Sequence, residues 1–327
     1  MTDATVSRLG QDNLAGDAKA LFYKLFTGEV LTAFDKKNVM MARHRSRNIT
    51  HGKSASFANT GRATGRYHTP GTEITGQTIP HSETVITIDD LLIADVFIAN
   101  IDEAMNHYEV RGEYSKQLGE ALGRTYDKQS FRAAITAARA SNKISGLPGG
   151  TQISLTAGYA AATDLAKAQE LASVLFTAHK KFIENEVPMD GVFCALRPAE
   201  YFLLVQNKDL LNKDWGGLGS YAMADLPMVA GIPLVVSNHV PSQDDAANTS
   251  SGVTTDGGDV IHSKYAADFS KTKAVIMTPE AIGTVNLLDL AVESAYDIRR
   301  QGTLIVAKKL CGTGTLRPEC AIEVKLP

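Results

Sequence analysis

From Ser54 to Ser82 the chain offers almost nothing to bury. These 29 residues hold six Thr and four Gly, and the large apolar side chains are only Phe57, Tyr67, Ile74 and Ile79. Thr favours extended backbone, and Gly beside Thr or Pro favours turns. A structureless connection of this length inside a compact domain is rare. A solvated disordered tail would carry many charges, whereas this stretch has Arg62, Arg66 and Glu73 alone. The pattern predicts a long two-stranded arm that reaches away from its own domain and packs on another chain.

The entry to that arm, Gly52-Lys53-Ser54, ends like a phosphate-cradling loop. Such a loop needs a glycine five positions before Gly52, and that place holds Arg47. It also needs a strand before and a helix after, but here a basic run precedes and Thr/Gly-rich backbone follows. Gly52 is read as a turn. "GGLGSY" (216–221) and "CGTGTLRPEC" (311–320) miss the spacings of dinucleotide and serine-hydrolase motifs and read as loops. The eight His are scattered without HExxH or Cys-x-x-Cys spacing, and Asp244, Asp245, Asp256 and Asp259 lack the spacing of a calcium loop. No catalytic, cofactor or metal site is expected. Cys194, Cys311 and Cys320 are too few and too scattered for a disulfide framework, which points to a reducing folding environment.

The formal net charge of -3 gives no global field for nucleic acid or membrane. No window approaches the ~18 apolar residues of a membrane span, and the first twenty residues contain no apolar signal core. Charge is nevertheless uneven. Lys36 to Lys53 contains six basic and no acidic residues, with Arg43, Arg45, Arg47 and Lys53 in its second half. Two readings stand level: contact with nucleic-acid phosphates or an acidic partner, and a solvated arm or intersubunit salt bridges. Aromatics do not interleave with these charges, which argues against single-strand stacking. Just before the run, Leu21, Phe22, Leu25 and Phe26 predict a short amphipathic helix ended by Gly28.

With 327 residues and 44 % apolar composition, one large or two ordinary domains are affordable. The periodicities predict an α+β chain. Val85 to Ile98 reads as two strands with a bend near Asp89-Asp90. From Asp102 to about Ser141, Ile101, Met105, Tyr108, Gly112, Ser115, Gly119, Leu122 and Tyr126 step along one face of a long helix. Its glycines 112, 119 and 123 each weaken it by ~1 kcal/mol relative to Ala, which is tolerated where another backbone comes close or the helix bends. Pro148-Gly149-Gly150 predicts a domain boundary. Thr163 to Val187 reads as a helix with a stripe of Leu165, Ala168, Ala172, Leu175, Ala178 and Phe182. Further on come a strand at 191–196, a helix from Pro198, a strand at 228–240 with an irregularity at Gly231-Ile232-Pro233, a polar loop at 241–258, and strands at 273–279 and 281–297. The last two strands are expected to meet at a hairpin tip, Gly312-Thr313-Gly314-Thr315.

Several stretches carry a resemblance: "GEVLTAF" (28–34), "GKSASF" (52–57), "VITIDDLLIADVFIANIDEAMNHYEVRGEYSKQLGEALG" (85–123), "GTVNLLDLA" (283–291) running into "AVESA" (291–295), and "GTGTLRPE" (312–319). The chain resembles the major capsid proteins of short-tailed phages of the coliphage T-seven group from about Leu21 onward. That resemblance implies the Hong Kong 97-type capsid fold: an N-terminal arm (1–52), an extended loop (53–82), a peripheral domain (83–150 and 296–327) with a long spine helix, and an axial domain (151–295). It implies a non-enzymatic shell subunit forming pentamers and hexamers of an icosahedral capsid, assembled in the host cytoplasm on a scaffolding protein, with a portal at one vertex and double-stranded DNA inside, and no membrane. By the same resemblance, Phe57, Arg62, Arg66, Tyr67, Ile74, Gly312, Thr313, Gly314 and Arg317 are expected at intersubunit contacts. Arg43, Arg45, Arg47 and Lys53 are expected to face scaffold or DNA. A shell of the same fold that packages an enzyme, and an enzyme with an unrecognised site, are the alternatives.

Overall fold

The computed structural model describes residues 38–101, 111–211, 224–246, 253–254 and 259–327. The helix expected around Leu21 to Phe26, the part of the long helix before 111 and the "GGLGSY" loop lie outside these residues.

Two sheets share one long helix. The first sheet has the order β1-β12-β13-β4, with β1 Arg45–Asn48, β4 Leu92–Ala99, β12 Ile282–Asp297 and β13 Gly302–Thr315. The second has the order β5-β14-β11-β6-β8-β7, with β5 Thr151–Ser154, β6 Phe193–Leu196, β7 Met228–Val229, β8 Ile232–Val236, β11 Thr272–Met277 and β14 Ala321–Lys325. Helix α1, Arg111–Arg139, packs against strands of both. Its inner residues explain how. Ala133, Ala134, Ala137 and Ala138 are buried; alanine is both the best helix former and small enough to let neighbours approach from several sides. Charged residues on the buried stretch all have partners. Asp127 accepts the backbone N–H of Val39 (2.8 Å) and Met40 (3.0 Å), and His239 Nδ1 lies 3.0 Å away. Lys128 meets Asp259 at 2.6 Å, and Arg132 pairs with Asp245. Arg139 forks onto the fully buried Glu323 of β14 through Nε (2.7 Å) and Nη2 (2.6 Å).

Helix α2, Asp164–Glu184, is capped by Thr163, whose side chain accepts from Ala166 N–H. It buries the predicted stripe from Ala168 to Phe182, while Leu165 in the first turn is exposed. Helices α3, Pro198–Val205, with proline in its first turn, and α4, Lys208–Leu211, follow β6. The four residues of β6 are all buried, which is why the strand reads as an unbroken apolar run. Strand β9, Val253–Thr254, lies inside the expected polar loop and pairs antiparallel with β10, Val260–Ile261, just beyond it.

Four expectations change. The irregularity at Gly231 is a two-residue hairpin loop between β7 and β8; Ala230 (φ 53°) and Gly231 (φ 74°) are both left-handed, as a type I′ turn requires. Gly123 makes room for a side chain rather than a backbone, since a Cβ there would fall 2.2 Å from Asn38 Nδ2. Gly312-Thr313-Gly314-Thr315 is no hairpin tip. It is the end of β13, paired with Ile282 to Val285 of β12, and the hairpin tip is 298–301. The boundary expected at 295/296 cuts β12 near its end, and β14, assigned with the peripheral residues, belongs to the second sheet.

Candidate assembly site: the arm and its root

Strands β2 (Ser54–Thr60) and β3 (His81–Thr87) form an antiparallel pair from Ser54↔Thr87 to Thr60↔His81. Beyond it the chain keeps the same register without strand pairing. Gly61 N–H donates to Pro80 C=O (2.8 Å), Thr64 Oγ1 to Gln77 Oε1 (2.9 Å), Arg66 Nη2 to Thr75 C=O, and Thr72 N–H to Thr69 C=O (3.2 Å). Pro70-Gly71 sits at the centre of that last turn, with Gly71 at φ 91°, as a type II turn demands. The Thr/Gly-rich segment is therefore a single long hairpin. Register places Tyr67 opposite Ile74, and both are exposed, at 105 % and 73 %.

The arm is rooted in a small apolar cluster apart from the main core: Ala55, Ile86, Val285 and Leu316, with Ile49, Phe57 and Ile88 against them. It crosses close over the end of β13. A Cβ at Gly312 would lie 2.1 Å from Thr87 O, and one at Gly314 would lie 3.0 Å from Ile86 Cγ1. This close approach, rather than a turn, is the reason for the glycines. The alternate residue Thr313 points the other way, fully buried, into a polar network below. Its Oγ1 meets Thr284 Oγ1 (3.1 Å), which meets His44 Nε2 (2.8 Å); Tyr126 OH reaches the same nitrogen at 2.8 Å, and His44 Nδ1 lies 2.7 Å from Met40 O. Burial lowers the His44 pKa, holding the ring neutral, and pushes Tyr126 up to about 12. Thr313 N–H also donates to Tyr265 OH (2.9 Å), a hydroxyl that bonds Asp89 and that burial, with the Asp89 charge, keeps protonated.

The structure brings some of the expected site residues together and separates others. Arg45, Arg47, Phe57 and Arg317 line one shallow cleft of about 160 Å³ around Glu280. Arg45 pairs with Glu280 at 2.6 Å, Arg317 lies 3.7 Å from it, and Arg47 donates to Ser56 C=O (2.9 Å) with its guanidinium 5.7 Å from the Phe57 ring centre. Arg43 lies 5.1 Å from the Phe193 ring centre, and Lys53 is exposed. Gly312, Thr313 and Gly314 are under the arm root. Arg62, Arg66, Tyr67 and Ile74 stand out on the arm, with Arg62 tied back to Glu186 and to Asn185 C=O at the end of α2. Sequence reasoning missed Glu280 as the common partner and Ile86 as the pivot of the root; only the alternation through β3 hinted at the latter.

The comparisons with known proteins concern the whole of this architecture. The family described as "Gp10A-like: Major capsid protein" matches residues 56–325. The major capsid protein of Escherichia phage T7 is 36 % identical over 320 residues, covering 94 % of this chain and 92 % of that protein. That of Enterobacteria phage T3 is 34 % identical over 340 residues, covering 97 % and 95 %. Among solved structures, the capsid of cyanophage P-SCSP1u superposes with a TM-score of 0.82 at 40 % identity, covering 100 % of this chain and 99 % of that one. The fold is the Hong Kong 97-type capsid fold. These relatives favour neither an enzyme nor an enzyme-packaging compartment. The chain thus belongs to the phage major capsid protein family, and it is a structural subunit that assembles with copies of itself into the shell of the virion.

Proposed function

We propose that this subunit forms the pentamers and hexamers of an icosahedral shell around double-stranded DNA, and that each arm overlaps a neighbouring subunit. One observation carries the reading: residues 62–78 are exposed without exception, yet hydrogen bonds from Thr64 to Gln77, Arg66 to Thr75 and Thr72 to Thr69 keep the register of the strand pair below. An element ordered in this way but with nothing beneath it gains its burial by association, so ordering and assembly are coupled. Many weak contacts then act together in a closed shell. The first sheet with α1 serves as the peripheral unit, and the second sheet with α2 and α3 as the axial unit that meets its copies around the symmetry axes. Among the described residues of the basic run, Arg45, Arg47 and Lys53 are exposed and offer charge to a scaffolding protein or to DNA phosphates. Assembly takes place in the bacterial cytoplasm, on a scaffolding protein and from a portal vertex.

The test is to replace residues 61–80 with a short Gly-Ser link and view the product by negative-stain electron microscopy, with and without the scaffolding protein. Soluble subunits or capsomers of unchanged melting temperature, and no closed shells, are expected. Normal shells from that variant would remove the overlapping-arm reading.

A further inference from the structure

Between α1 and the loop that leaves β8 lies a recess of about 250 Å³. Lys128 and Arg132, four residues apart and so on one face of α1, form one wall. Arg197, the residue before α3, and the loop from Asn238 to Gln243 form the rest. The lining holds three cations and His239, and no carboxylate. Asp259 and Asp245, which pair with Lys128 and Arg132, do not line the recess, and neither does Asp127, which meets His239. The two ion pairs therefore present their positive ends to it. These charges are also withdrawn from water: the side chains of Arg132, His239 and Lys128 are 3 %, 8 % and 10 % exposed. Charge held in this way acts through a lower effective dielectric than an open surface, so its pull on an entering anion is stronger.

The donors come from three separate segments and face one space. A carboxylate offers two oxygens in a single plane, whereas a phosphate offers acceptor oxygens in several directions and up to two charges. Guanidinium forks match it well. A DNA duplex carries its phosphates on a convex backbone, and a guanidinium as deep as that of Arg132 is beyond its reach. We infer that the recess binds a free phosphate-class oxyanion, held by Lys128, Arg132 and Arg197 with Asn238 and Ser242 at its side. The cations keep their present partners, among them the Arg197 Nε bond to Val240 C=O (3.1 Å), because a guanidinium carries donors on more than one edge. Bound there, the ion ties the helix that both sheets share to the β8 loop and the start of α3, and so stiffens the joint inside the subunit. The site is independent of the overlapping-arm reading.

Thermal unfolding of unassembled subunits of the full chain tests it, with inorganic phosphate exchanged for sodium chloride at constant ionic strength. Phosphate is expected to raise the melting temperature saturably, by roughly 3–5 °C at a hundredfold excess over its dissociation constant. Arg197→Gln is expected to cancel that rise. No rise in the wild type, or a rise that Arg197→Gln leaves intact, would overturn the site. Ser242→Glu is a check that removes no cation and decides the matter if Arg197→Gln does not fold. It places a carboxylate in the recess, so a higher melting temperature in the absence of phosphate and no further response to phosphate are expected; an undiminished response would overturn the site. A short DNA duplex at the same concentration of phosphate groups is expected to give no shift. A shift with the duplex and none with inorganic phosphate would overturn the free-anion assignment.

Discussion

Residues 62–78 of the arm are all exposed, whereas between residues 122 and 138 of α1 only Arg124 and Thr136 escape burial. The two stretches are of equal length and both are regular. They differ in where their order comes from. The helix is fixed by its own chain: small residues let two sheets close on it, and each buried charge meets a partner from elsewhere in the sequence. The arm is fixed by a turn, a register and a few clasps between its two sides. It buries nothing beyond its root, so its shape is a preparation for contact rather than the result of one. A shell subunit needs both, one part that stays the same in every copy and another that completes itself on a neighbour.

The sharpest way to break this comparison is to damage the helix side. Arg139→Ala leaves the fully buried Glu323 carboxylate without its forked partner, and removing one member of a buried pair costs ~3–5 kcal/mol. A large fall in the urea midpoint at unchanged slope is expected; a shift below about 1 kcal/mol would mean that solvent reaches Glu323. Ile86→Ala acts at the hinge between the two regions. It removes the central side chain of the root cluster, with an expected loss of ~2–4 kcal/mol, and hydrogen exchange should accelerate in 54–60 and 81–87 while α1 stays protected. Equal acceleration in both would merge the arm root with the main core.

The polar network under the root gives a finer probe. The unfolded chain's His44 titrates near 6.5, and burial lowers that value in the folded state. Falling pH therefore protonates the unfolded chain first. The stability tied to a neutral His44 is full above about 6.5 and drains away below it. His44→Gln is expected to flatten the decline in melting temperature between about pH 7 and about pH 5 relative to the wild type; an identical slope in both would place the pH dependence elsewhere. The smallest effect belongs to the arm itself. Arg62→Ala cuts an exposed tether to Glu186, so stability should stay within ~0.5 kcal/mol. Faster limited proteolysis between 61 and 80 is the expected sign of a freed arm, and no change would show that the hairpin register alone holds it.

Much of this was legible in the chain itself. Period-two and period-3.6 patterns located β3, β4, α1, α2 and α3, because each element has to hide one side from water wherever it ends up. The arm was legible for the opposite reason: a stretch with so little to bury and so few charges has no stable place inside its own fold or free in solvent. Local pattern failed where glycine served a distant neighbour. Gly312 and Gly314 look like a turn, since glycine's freedom is a local property, yet they are strand residues thinned to let Thr87 and Ile86 pass. The assignment of β12 to one sheet and β14 to the other was equally invisible, since sheet membership depends on pairing between strands far apart in sequence. Sequence alone determined which segments are regular, which are apolar and that one of them has to look outward. The tertiary structure decided what lies beneath the arm, which carboxylate holds which cation, and which cations share a recess, because each depends on contacts across hundreds of residues that no local pattern encodes.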